Sequence, residues 1–308
     1  MTVRRKTFLI IAITCVGLVI VLYAASRSFL LGGFIKLEQA SARDNVQRVL
    51  NALDQDLGAV DRFTYDRAAT DETYNFMGSP NKEFVQSLFG KDSAGTPATR
   101  RFNFVVLMDA SGHIVASRSR DIATNTFVDI PESLKIHLSL ADPLFKFSPS
   151  TNKVSGVLLL PEGPLLVVSR PVVKTNGEGP IRGSLLTARF LESGGDLRAL
   201  EKTTNFSLSV LRVYGEHLPV DFEEARSRLS EEGGTYVRPM NEQLLGGYTL
   251  LNDINGKPAL ILRAEMPRVI YQQGRLSQLY FVGALLIAGI VFVGIGWNTL
   301  LTFDPNKP

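Results

Sequence analysis

The sequence predicts an α+β protein: a long N-terminal helix, an antiparallel sheet domain and a smaller second β subdomain, flanked by two transmembrane helices. Three observations carry this. Two charge-free stretches, one near each end, are long enough to cross a bilayer. A helical apolar period follows the first of them. Short apolar runs punctuated by Gly, Pro, Asn and Asp fill most of what remains. A chain of 308 residues has room for about two domains. Its 45% apolar and 20% charged content excludes a disordered class. A single cysteine excludes both a disulfide framework and a multi-cysteine metal site.

The first apolar run covers residues 7–26 and is preceded by Arg4, Arg5 and Lys6, which places residues 1–6 on the cytoplasmic side. A cleaved signal peptide is the competing reading, with Tyr23-Ala24-Ala25-Ser26 loosely resembling a cleavage site. The run exceeds the usual length of a signal-peptide core and continues into a helical pattern, so an uncleaved anchor is the expectation. The second run covers residues 276–303, with the span itself at 279–300 and Tyr280 and Trp297 near its ends, as interfacial aromatics often are. Residues 27–275 are then extracytoplasmic, and residues 301–308 form a short cytoplasmic tail. The three basic residues at the N-terminus account for the whole +3, because Asp304 and Lys307 cancel and residues 27–275 balance. The basic character is therefore a topology signal, and the exported part is neutral, which argues against nucleic acid as a partner.

Within the exported part, residues 36–63 predict a long helix in which Val46, Leu50, Leu53, Leu57 and Val60 alternate four and three apart. That stripe suits packing onto its own domain and also a short dimer seam. Residues 64–190 form the main sheet subdomain. A polar stretch at 64–76 precedes a short helix at 82–89, and residues 92–101 read as a loop. Phe102–Met108, the turn Asp109-Ala110-Ser111-Gly112 and His113–Ser117 predict a hairpin. Pro131–Leu140 predicts a helix with proline in its first turn. Strands at 154–160, 165–173 and 181–190, joined by Pro161-Glu162-Gly163-Pro164 and Asn176-Gly177-Glu178-Gly179, make an antiparallel meander. The smaller subdomain, 191–265, repeats the pattern with strands at 206–213, 247–251 and 259–263 and a helix at 220–230; an exit helix at 266–278 leads to the membrane. This order suits a PAS/Cache-like sensor.

The stretch Asp66-Arg67-Ala68-Ala69-Thr70-Asp71-Glu72-Thr73-Tyr74-Asn75-Phe76 resembles the signature of the CHASE domain of the fourth type, an extracellular sensory module of histidine kinases and diguanylate cyclases. Asp66, Ala68, Asp71, Tyr74 and Phe76 match the signature, whereas Arg67 and Thr70 stand where that family carries tryptophans. Asn81–Phe89, Val105–Val115, Ser169-Arg170-Pro171 with Gly183, and a closing set that includes Gly247-Tyr248, Asn252-Asp253 and Pro267-Arg268 extend the resemblance over residues 36–275. The resemblance implies a membrane-bound receptor, dimerisation and a small-molecule ligand; if the family's tryptophans line the pocket, this pocket differs, and if they only pack the helix onto the sheet, another side chain fills their space.

The candidate ligand-binding residues are Asp66, Arg67, Asp71, Tyr74 and Arg170. The acidic cluster Asp66, Asp71 and Glu72 suits a cation or basic ligand, and equally the capping of helix ends. Arg170, at a strand end, has the geometry to hold a carboxylate through two hydrogen bonds. Gly194-Gly195-Asp196-Leu197 imitates the start of a cyclase motif, but Leu197-Arg198 breaks it, and it reads as a loop entering a helix. No nucleophile elbow, P-loop or regular metal-ligand spacing appears, and His113, His137 and His217 are single and scattered. No enzyme activity and no cofactor are expected. The expected function is the sensory part of a signal-transduction receptor without its own output domain, signalling through a separate kinase or cyclase or truncated from one. A cell-envelope adaptor that binds another protein is the alternative.

Overall fold

The computed structural model describes residues 3–26, 31–89, 102–122, 124–139, 141–147, 152–191, 196–229 and 234–302. They divide into two units, one made of Met1–Asp44, Val237–Leu245 and Met266–Pro308, the other of Asn45–Tyr236 and Gly246–Glu265. Eight helices follow in chain order among the described residues: α1 (Val3–Ser26), α2 (Gly32–Ala68), α3 (Asp71–Gly78), α4 (Lys82–Phe89), α5 (Glu132–Ile136), α6 (Asp196–Thr204), α7 (Val220–Arg228) and α8 (Val269–Thr302). The strands are β1 (Phe104–Asp109), β2 (Ile114–Asp121), β3 (Thr126–Phe127), β4 (Val154–Leu160), β5 (Gly163–Val172), β6 (Gly183–Phe190), β7 (Ser207–Arg212), β8 (Tyr236–Pro239), β9 (Leu244–Asn252) and β10 (Pro258–Pro267).

The second unit is built on a six-stranded antiparallel sheet in the order β3-β2-β1-β6-β5-β4. Its central strands β1, β6 and β5 bury both faces, and the period of two sorts their side chains into two cores. Val105, Leu107, Val168, Val172 and Leu185 face α2, α3 and α4, where Val60, Ala68, Tyr74, Phe76, Phe84 and Leu88 meet them. Phe104, Val106, Met108, Leu165, Val167 and Leu186 face the other way, against α5 and the 3-10 turn Pro143–Phe145 through Leu134, Leu144 and Phe145. Gly183 is obligatory at its place. A Cβ there would lie 2.1 Å from the Met108 carbonyl oxygen and 2.7 Å from the Met77 methyl. The smaller sheet has the order β7-β10-β9-β8, and Val213, Phe222, Ala225, Tyr248 and Ile261 form a core between it and α7. The Ile254 N–H donates to Val157 O at 3.0 Å, which ties the loop before β10 to β4.

Local chemistry explains the helix starts. The Thr70 hydroxyl accepts from the Thr73 N–H at 3.1 Å and Asp71 and Glu72 fill the first turn of α3, so a cap and two favourable charges begin it. Asn81 does the same for α4, accepting from the Phe84 N–H at 2.8 Å. The Asp109–Gly112 turn closes as expected, with Asp109 Oδ1 accepting from the Ser111 and His113 N–H groups at 2.8 and 2.9 Å and Gly112 at φ 87°.

Several boundaries shift. The long helix runs Gly32–Ala68, longer than expected at both ends, and its buried stripe is Ala42, Val46, Val49, Leu53 and Val60, with Leu50 and Leu57 only half-buried. The helix expected over Pro131–Leu140 is a single turn, because the chain tightens at His137, whose imidazole meets Asp142 at 2.8 Å ahead of the 3-10 turn; Leu140 lies outside the described residues. The exit helix and the apolar run are one unbroken α8. The loop at 92–101 and the Gly194-Gly195 pair lie outside the described residues, and α6 begins at Asp196. The two-span expectation is met at the C-terminal end only. Among the described residues one helical stretch, Val269–Asn298, is long and apolar enough to cross a membrane, and the apolar part of α1, Ile13–Ala25, is shorter. Within the first unit α1 lies against α8, with Val19 Cγ2 3.8 Å from the position of a Cβ on Gly289.

Candidate functional site

The five expected ligand residues fall into two groups within the sheet unit. The first lies where α2 turns into α3. Asp66 and Arg67 are exposed on the last turn of α2, and the Arg67 carbonyl accepts from the Thr73 hydroxyl at 2.5 Å. Asp71 exchanges two bonds with Thr175: its N–H donates to the Thr175 hydroxyl at 3.2 Å, and its carboxylate accepts from the Thr175 N–H at 3.2 Å. Tyr74 is buried, with the Arg182 guanidinium carbon 4.1 Å and the Lys174 Nζ 5.5 Å from its ring centre. Arg182 also donates to Tyr74 O at 3.1 Å. The signature thus pins the α2–α3 corner to the β5–β6 turn through one aromatic ring that meets two cations.

The acidic cluster does not converge there. Among the described residues no three acidic, histidine or cysteine side chains gather to hold a metal ion. The cavity beside the signature, lined by Arg67, Thr70, Glu72 and Thr73, has a volume of about 20 Å3, room for a single water.

The second group surrounds Arg170. Its guanidinium does hold a carboxylate with two bonds, but that carboxylate is Asp61 of α2: Nε to Oδ1 at 2.7 Å and a terminal nitrogen to Oδ2 at 2.9 Å. Lys153 Nζ adds a third at 2.9 Å, and Tyr65 lies 4.9 Å from the Arg170 guanidinium carbon. Burial pushes the Asp61 carboxyl up, and the hydrogen bonds from Arg170 and Lys153 outweigh it, holding the group below the usual carboxylate range. Arg189 pairs with Asp56, and the Thr64 and Thr187 hydroxyls meet at 2.5 Å, so α2 is fastened to β5 and β6 by a row of polar contacts.

A third cluster was not visible from sequence spacing. In the first unit Glu38 of α2 and Arg268, the residue before α8, form an ion pair at 3.0 Å while only 4% and 7% exposed. The Glu38 carboxylate also accepts from the Tyr271 N–H at 3.3 Å, satisfying one of the free amides in the first turn of α8. Arg268 donates to Asn241 O at 3.2 Å, its own N–H donates to Gln243 O at 2.8 Å, and its guanidinium carbon is 3.9 Å from the Tyr271 ring centre. The α2 and α8 backbones approach closely here. A Cβ on Gly274 would lie 2.5 Å from the Phe34 ring. The only sequence hint was the Pro267-Arg268 pair, since Glu38 stands 230 positions away.

A chain of this build has known relatives. The histidine kinase FilI of Methanothrix harundinacea (strain 6Ac), a methanogenesis regulatory protein, is 27% identical over 299 residues, covering 96% of this chain and 32% of the kinase. This chain therefore spans about a third of that relative's length. An extracellular domain assigned to a histidine kinase, vpHK1S-Z8, has a similar fold: TM-score 0.50 at 12% identity, covering 79% of this chain and 95% of that one. A domain of a sensory box/GGDEF family protein from Vibrio parahaemolyticus aligns with TM-score 0.51 at 13% identity, covering 78% and 99%. The CHASE4 domain matches residues 52–211, more than half of the sequence, and the chain belongs to the CHASE4 domain family.

Proposed function

We propose that this chain is the membrane-anchored, extracytoplasmic sensory portion of a signal-transduction receptor. The observation that carries the reading is the CHASE4 match joined to the path of the chain, which leaves the last strand β10 directly into the apolar helix α8. In this reading residues 7–26 and 279–300 both cross the membrane, residues 27–275 lie outside it, and both ends are cytoplasmic. The receptor acts as a homodimer. Its output is a histidine kinase or cyclase domain, on the same polypeptide or on a partner chain, in keeping with the kinase name of the relative.

A small molecule binds the exported domain and favours one of two packings of α2 and α8. It does so only if its affinity differs between them. Asp66, Arg67, Asp71 and Tyr74 at the α2–α3 corner and Arg170 on β5 are the proposed contacts. Asp61 then stands in for a ligand carboxylate on Arg170, and a ligand acid competes with it for the same two guanidinium bonds.

The test is thermal unfolding of the full chain in detergent against amino acids, dicarboxylates, nucleobases and short-chain acids. A ligand that binds only the native form must raise the melting temperature. A rise that Arg170→Gln or Tyr74→Leu removes supports the reading. A flat response across the panel, together with a stable protein partner in pull-downs, overturns it in favour of an envelope adaptor.

A further inference from the structure

Beside the Glu38–Arg268 pair the first unit holds a cavity of about 620 Å3. Its lining changes character from one part to the other. Glu242, Tyr271 and Arg275 supply charge and hydrogen-bonding groups, and Leu276, Leu279 and Val282 supply an apolar wall. Tyr23, on α1, completes it. Arg275 is the last charged residue before the charge-free run 276–303, so the polar part of the cavity falls where a bilayer changes from headgroups to hydrocarbon.

We propose that this cavity seats one phospholipid whose headgroup carries both a phosphodiester and a primary ammonium, of the phosphatidylethanolamine type. The inference rests on α8 being a membrane span. Arg275 and Glu242 pair with each other, and their side chains are 64% and 70% exposed, so little is lost when they part. A zwitterionic headgroup fits between them and leaves neither charge alone. The phosphodiester takes the Arg275 guanidinium in a forked contact, and the ammonium donates to the Glu242 carboxylate. The Gln272 and Gln278 amides, also in the lining, add donors for phosphate and glycerol oxygens. An anionic headgroup without an amine sets its phosphate near Glu242 with nothing to neutralise that carboxylate. A choline headgroup has no N–H to donate. The acyl chains lie along Leu276, Leu279 and Val282.

The position gives the lipid a consequence for the rest of the unit. Glu242 lies between Asn241 and Gln243, whose carbonyls hold Arg268. A headgroup bound to Glu242 therefore loads the same turn that fastens Arg268 to Glu38.

The experiment is native mass spectrometry of the detergent-solubilised full chain, titrated separately with phosphatidylethanolamine, phosphatidylcholine and phosphatidylglycerol. One phosphatidylethanolamine per chain is expected to be retained at about tenfold lower lipid concentration than either of the others. Arg275→Gln should weaken retention of all three lipids, since each carries the phosphodiester, and Glu242→Gln should make phosphatidylethanolamine and phosphatidylglycerol equivalent. The exchanged pair Glu242→Arg with Arg275→Glu keeps an ion pair and the fold while placing the charges the wrong way round for the headgroup; it should lose the preference with its melting temperature intact. Equal retention of the three lipids by the unaltered chain, or a preference that survives the exchange, overturns the proposal. Alkaline carbonate extraction of cell membranes separates the two readings. A chain that stays in the membrane but shows no lipid preference sinks the lipid site alone, whereas a chain that washes off sinks the membrane reading with it.

Discussion

Glu38 and Arg268 are each tolerable where they sit because the other is there. Desolvating two charges costs several kcal/mol per ion and their attraction only roughly repays it, so the pair adds little net stability while making the loss of either partner expensive. Arg268→Met should destabilise the chain by about 3–5 kcal/mol in denaturant unfolding, and adding Glu38→Leu should restore most of that. Asp61 behaves differently, because its folded carboxyl is held below the ordinary value by Arg170 and Lys153 in spite of burial. The stability from such a depressed group is present above the unfolded pKa, near 3.9, and is lost as the pH falls through the lower folded value. Unfolding followed from pH 6 downward should show a fall in stability below about pH 4 that is shallower in Asp61→Asn, because Asp221 and the other depressed carboxylates still contribute. Arg170 was legible in the sequence as an arginine able to hold a carboxylate. Its partner was not, because Asp61 stands 109 positions earlier and no periodicity links a helix to a strand it packs on.

Elements were legible where local chemistry and burial agree. The helix at Lys82–Phe89 and the strand at Val154–Leu160 fall where their apolar spacing and turn residues put them. The strands missed are β3 and β8. One is two residues long and exposed, and the other is half-buried and ends at Pro239, so neither leaves an alternating pattern to read. The heptad misled in detail, since Val46, Leu53 and Val60 are buried as it requires but Val49 and Ala42 complete the buried stripe while Leu50 and Leu57 stay half-buried. Two substitutions probe this scale. Thr70→Ala removes the cap of α3 and should cost about 1 kcal/mol in thermal or denaturant unfolding. Gly183→Ala forces a methyl against the Met108 carbonyl and should cost at least about 1–3 kcal/mol, with β1–β6 amides losing hydrogen-exchange protection first.

At the scale of the whole molecule, composition and the order of elements were enough to reach an α+β sensor fold, and the CHASE4 match agrees with that reading. The Glu38 contact was out of reach, because residues 38, 241 and 268 come together only through tertiary structure. The proposed topology is checkable through the single cysteine. In a Cys15→Ser background, Asn176→Cys should react with a membrane-impermeant maleimide on intact cells, and Lys307→Cys should react only after the membrane is opened.

The continuity of α8 has a mechanical meaning. From Val269 to Thr302 there are 34 residues and no proline, a rod about 51 Å long. A twist imposed near Arg268 has no kink at which to dissipate before the far end. Adding one residue to such a rod turns everything beyond it by about 100° and advances it by about 1.5 Å. In the proposed receptor, single-residue insertions after Val282 should therefore reset the resting state of the proposed output in a pattern that repeats with the helical turn, whereas the melting temperature of the sheet unit stays where it was.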